Sequence, residues 1–103
     1  MARLGDLAQL IRSKNAGPFA LTFDILFADA DLYRRVKATG VLGPDLFARL
    51  YHLPPERVTF AAYDAGLAFK ATIPRPVPSG HPADTDVYGG QQFAPILDVE
   101  VPL

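Results

Sequence analysis

"RLGDLAQLIRSKNAGPFALTFDILF", residues 3–27, decides how this chain folds. Its first half reads as a helix over residues 3–13. Leu4, Leu7, Ala8 and Ile11 fall at i, i+3, i+4 and i+7, which puts them on one helical face. "NAGP" at 15–18 ends that helix, because Gly17 can take positive φ and Pro18 cannot continue the hydrogen-bond ladder. The second half, "FALTFDILF" at 19–27, alternates. Phe19, Leu21, Phe23, Ile25 and Phe27 face one way; Ala20, Thr22, Asp24 and Leu26 face the other. A period of two over such a run is a strand.

Working outward, "DADLYRRVKATG" at 29–40 is a second helix, capped by Asp29 or Asp31 and stopped by Gly40. "GPDLFARLYH" at 43–52 is a third, with Pro44 in the first turn and His52 at its end as a cap. "RVTFAAYD" and "LAFKATIP" are strands joined by a tight turn around Gly66, a hairpin. Prolines 74, 76, 78 and 82 then hold the chain extended. "APILDVEV" at 94–101 alternates once more and reads as a fourth strand. The order is α-β-α-α-β-β-β. It implies an α+β fold of two layers, a four-stranded mixed sheet with helices on one face. The first two strands would pair in parallel through a two-helix crossover. Phe19, Phe23, Phe27, Phe60 and Phe69 are the expected shared core.

The chain has 103 residues, which predicts a single domain spanning 1–103. Half the residues are apolar and the net charge is −1, so disorder is excluded and no electrostatic case exists for nucleic acid or an anionic membrane. Without cysteine there are no disulfides, no thiolate nucleophile and no Cys-ligated zinc. Charges at Arg3, Asp6 and Arg12 interrupt the apolar core that a signal peptide needs, and no run is long enough to span a bilayer. The expectation is a soluble, cytoplasmic protein.

Two segments carry candidate chemistry. In "SGHPADTDVYGGQQFAP", 79–95, His81, Asp84 and Asp86 have the spacing H-x-x-D-x-D, which suits a divalent metal but equally suits carboxylates that cap turns. With one histidine in the loop and no cysteine anywhere, no tightly bound metal and no cofactor are expected. Tyr88, Gln91 and Gln92 offer hydrogen bonds to an amide or carboxylate, and Gly89-Gly90 lets backbone approach a partner closely. In "RSKNAGP", Arg12, Lys14, Asn15 and Gly17 form the second candidate, an anion site set against the plainer reading of cations and a cap at a helix C-terminus. Asp24 and Lys70, both mid-strand, are read either as a buried pair or as residues of a solvated face. One segment is cationic and the other acidic, so the two are expected to lie together and hold a small carboxylate.

"IRSKNAGPFALTFDILF" and "RPVPSGHPADTDVYGGQQFAPILDVEVP" together resemble a small bacterial domain family of unknown function associated with AtuA, the acyclic terpene utilisation protein. The resemblance covers essentially the whole chain. Members of that family look like stand-alone proteins of this size or C-terminal extensions of a larger AtuA-like chain. The resemblance therefore implies a larger AtuA-like subunit as partner, with a homo-oligomer as a further expectation. The site residues it carries over are Arg12, Lys14, Asn15, Gly17, Asp84, Asp86, Tyr88, Gly89, Gln91 and Gln92. The family's loop usually reads close to D-V-Y-G-A-Q-Q-H-A-P; here Gly90 stands at the alanine and Phe93 at the histidine, and Phe93 can neither transfer a proton nor bind a metal, so if that histidine is a base or ligand in relatives this chain has lost it. Two functions are in play: an accessory or interaction module contributing its polar loop to a shared ligand site, or a small lyase or hydratase acting on an organic acid or its thioester.

Overall fold

The computed structural model describes residues 1–17, 19–75 and 93–103. The chain opens with β1 (Ala2–Arg3), a single helical turn α1 (Leu4–Leu7) and β2 (Leu10–Asn15). There follow β3 (Ala20–Leu26), α2 (Ala30–Thr39), α3 (Pro44–Tyr51), β4 (Thr59–Tyr63), β5 (Ala68–Pro74) and β6 (Glu100–Val101), with 3-10 turns at Pro55–Arg57, Asp64–Gly66 and Ala94–Asp98. This is an α+β fold built on a four-stranded sheet of order β2-β3-β5-β4.

The helix expected over 3–13 is not formed. After one turn, Ala8 swings to an extended conformation with ψ 144°, and Leu10–Asn15 pairs antiparallel with β3, Arg12 opposite Asp24. Three causes combine. Gly5 weakens a helix at this point by roughly 1 kcal/mol relative to alanine. Gly5 also lies against the C-terminal turn, where a Cβ would sit 3.1 Å from the Leu97 carbonyl oxygen. Gly17, at φ +81°, turns the chain back so that the Ala16 N–H donates to the Ala20 carbonyl at 2.9 Å, closing a hairpin. The apolar spacing that suggested a helix is met differently. Leu4 is buried in the one-turn helix, and Ile11 is buried as an inward residue of the strand.

The sheet is antiparallel throughout, not mixed. β3 and β4 do run in the same direction, since each is antiparallel to β5, and α2 and α3 connect them. They are not neighbours, because β5 folds back from β4 into the gap between them. β5 is suited to that inner position: Phe69, Ala71 and Ile73 are all buried. The interrupted crossover is the split form of a β-α-β unit.

The C-terminal segment also departs from the strand expected over 94–101. Residues 94–98 form a 3-10 turn, and only Glu100–Val101 is strand, paired with Ala2–Arg3 outside the main sheet. Pro95, which lacks an N–H and fixes φ, suits a first helical turn better than a ladder. Ile96 is fully buried.

The remaining elements follow their sequence signals. Asp29 caps α2 by accepting the Asp31 N–H at 2.9 Å, and Gly40 ends the helix at φ +72°. His52 is the C-cap of α3 in the left-handed region. The helices pack on one side of the sheet through aromatic rings: Phe23 lies 5.5 Å from Phe47 and 4.9 Å from Tyr51, and Phe69 lies 4.9 Å from Tyr33, centroid to centroid. Phe27 and Phe60 join this core. Phe19 does not: it sits in the β2–β3 turn, 65% exposed. Among the described residues no helix is long and apolar enough to cross a membrane.

Candidate functional site

Because Leu10–Asn15 is a strand, its side chains part to opposite faces, and the cluster anticipated from "RSKN" divides. Ser13 pairs with Phe23, and Asn15 with Leu21, so both belong to the face that the helices cover. Arg12 pairs with Asp24, and Lys14 with Thr22, on the face opposite. There the Arg12 Nε donates to Asp24 Oδ2 at 3.1 Å. Asp24 is held between strands, its side chain only 13% exposed, while that of Arg12 is 54% exposed. Lys70 is the β5 residue directly opposite Asp24. Of the two readings of Asp24, an ion pair is formed, but its partner is Arg12 on β2. The Thr22 and Thr72 hydroxyls meet at 3.3 Å in the next row. The Arg12 guanidinium is thus partly committed to an internal carboxylate. Lys14 is exposed and makes no ion pair among the described residues.

Gly17 serves the hairpin through its positive φ; nothing lies within 4 Å of where its Cβ would be. The same hairpin receives both described residues that bracket 76–92. On one side, the Arg75 N–H donates to the Phe19 carbonyl at 2.8 Å, and the Arg75 guanidinium donates to the Asn15 side-chain oxygen. On the other, the Phe93 N–H donates to Ser13 Oγ at 3.2 Å. Asp84, Asp86, Tyr88, Gly89, Gln91 and Gln92 lie outside the described residues, as does the His81 spacing considered for a metal. Among the described residues no group of three or more His, Asp or Glu is placed to hold a metal ion. Phe93, standing where a histidine is usual in the family resembled, is partly buried against the core.

Arg75 and Ser13 were missed as site residues. Arg75 sits between Pro74 and Pro76 at the end of a strand, and both prolines fix φ, so a cation there is aimed by its neighbours. That was the available signal. Ser13 had none, because its inward position depends on β2 being a strand.

A second polar cluster lies at the β4–β5 turn. The Tyr33 hydroxyl donates to Asp64 Oδ1 at 2.7 Å, and the Lys37 ammonium donates to the same oxygen at 2.8 Å. Burial and this hydrogen bond push the Tyr33 phenol up to about 12. The hydrogen bonds from Lys37 and Tyr33 hold the Asp64 carboxyl below the usual carboxylate range. The arrangement ties α2 to the β4–β5 turn. A shallow groove of about 320 Å³ lies beside it, lined by Arg34, Lys37 and Leu67. A larger groove of about 420 Å³ runs between α3 and the C-terminal segment, lined by Leu46, Leu50, Arg49 and Val99 among others.

No curated protein and no solved structure matches the chain. A family model does, over residues 4–100, from α1 through the antiparallel sheet and the bracketed segment to β6. With that match covering nearly its whole length, the chain belongs to the family described as a domain of unknown function, DUF4387.

Proposed function

We propose that this domain is an accessory module that docks on a larger AtuA-like subunit and brings residues 84–92 to a ligand site shared with it. The observation that carries the reading is the double attachment at the β2–β3 hairpin. Arg75 and Phe93, the residues on either side of 76–92, are both hydrogen-bonded to the 13–19 segment. A long segment whose two bracketing residues are held at one spot suits a role in binding better than one in linking distant elements. Its polar residues, Asp84, Asp86, Tyr88, Gln91 and Gln92, have no place in an apolar core. A small carboxylate or acyl thioester suits these side chains, with Tyr88 and Gln91 fixing its orientation. The resemblance to chains that also occur as extensions of AtuA-like proteins supplies the partner.

The test is affinity purification of the full chain from its native cells, with the retained proteins identified by mass spectrometry. The reading predicts a larger AtuA-like polypeptide in constant proportion, and its loss from a Tyr88→Ala, Gln91→Ala variant whose unfolding midpoint is unchanged. Elution of the chain alone at its monomer mass would contradict it.

A further inference from the structure

The sheet has one face packed by helices, and among the described residues the opposite face carries an ordered pattern of its own. Across the four strands its residues form three rows. Leu10, Leu26, Ala68 and Tyr63 make an apolar row, with Leu10 44% and Tyr63 54% exposed. Arg12, Asp24 and Lys70 make an ionic row beside it. Lys14 leads a third row through Thr22, Thr72 and Thr59, in which Thr22 itself is buried, at 4% exposure. Three cations stand against one anion on these strands, a net of +2, while the whole chain carries −1. The Arg12–Asp24 pair is satisfied internally, so the unmatched charge resides on Lys14 and Lys70, neither of which forms an ion pair among the described residues.

From this we infer that the helix-free face is the docking surface, and that its occupant is an acidic, aliphatic-containing segment of the partner protein. The partner's carboxylates meet Lys14 and Lys70, and an aliphatic side chain lies on the Leu10–Tyr63 row. A second copy of the chain fits poorly, because the two faces would bring like charge together. Size argues the same way. Three inter-strand spacings of about 4.8 Å give a face roughly 14 Å across. With central strands of seven residues, about 23 Å long, the face covers roughly 320 Å², small beside the ~800 Å² per partner of a stable interface, so it suits a laid-in segment. A nucleic-acid strand is disfavoured by the central carboxylate of Asp24 and by the lack of an aromatic in the middle rows to stack a base.

The inference rests on the docking role proposed above, but its test needs only the isolated full chain. A blocked peptide alternating glutamate and leucine is titrated into the isotopically labelled protein and followed by amide chemical shifts. Shifts should gather at Leu10–Lys14, Leu26 and Ala68–Lys70. The double variant Lys14→Glu, Lys70→Glu should weaken binding by about tenfold, the scale of two reversed surface ion pairs. Arg35→Glu, the same kind of charge change on the exposed side of α2, should weaken it less than about twofold by that measure. The inference is overturned by shifts elsewhere, by equal weakening in Arg35→Glu, by undiminished binding of a glutamine-for-glutamate peptide, by tighter binding of a single-stranded oligonucleotide to this face, or by self-association of the unliganded chain through it. If the peptide binds as described while no AtuA-like chain co-purifies, the surface stands and the named partner falls.

Discussion

Phe19 and Phe23 lie four residues apart in one alternating run and have opposite fates. Phe23 is fully buried between Phe47 and Tyr51, whereas Phe19 is 65% exposed in the turn. Alternation assigned both to the core, because period two says which way a side chain points but not where the strand begins. Phe23→Ala should therefore cost about 3–5 kcal/mol in urea unfolding. Phe19→Ala should stay within about 0.5 kcal/mol, the range of an ordinary surface change. Equal effects would mean that the turn had been drawn into the core. Tyr33 makes a second residue-scale prediction. Its phenol is raised in the folded state from 10.0 to about 12, by burial first and by the hydrogen bond to Asp64 second. The folded protein then holds the proton more tightly than the unfolded chain. This contribution to stability is complete below pH 10.0 and is lost as pH rises toward about 12. Tyr33→Phe should flatten the fall in unfolding free energy over that window; an unaltered slope would contradict the assignment.

At the scale of elements, the segment 10–15 shows where periodicity stops deciding. Leu4, Leu7 and Ile11 fit a helical face, and Ile11 with Ser13 fits a strand face equally well. What tipped the balance was non-local: the partner strand β3, the turn at Gly17 and the contact of Gly5 with Leu97. The remaining helices and the β4–β5 hairpin were legible because their caps and turns are local signals, as at Asp29, Gly40 and His52. The strand assignment makes neighbouring residues unequal. Ser13→Lys should destabilise by about 2 kcal/mol or more, since it places a charge in the buried face. Lys14→Ser should change stability by less than about 0.5 kcal/mol. A helix would not separate the two so sharply. Gly17→Ala should cost about 1–2 kcal/mol through its left-handed backbone alone, because no atom crowds the position.

Across the whole molecule, the α+β class could be read from the order of signals, but the strand order could not. A hairpin that inserts its second strand between β3 and β4 leaves no local trace in sequence. The same limit applied to the site. "RSKN" looked like one cationic cluster, and the strand sends Arg12 and Lys14 to one face, Ser13 and Asn15 to the other. Ser13, Asn15 and Phe19 bond Arg75 and Phe93, the residues on either side of 76–92, while the second motif's own residues 84–92 lie outside the described ones. The central claim, that the loop residues are brought to the β2–β3 hairpin, is open to a direct distance measurement. The chain contains no cysteine, so Ala16→Cys and Val87→Cys give two unique spin-label positions outside the candidate site residues. Val87 is six Cα–Cα steps from Phe93, a reach of about 20 Å if fully extended. The account predicts one dominant distance between the labels within about 15 Å, the span of an ordinary ligand pocket; a broad distribution centred at or beyond about 20 Å, the extended reach, would contradict it.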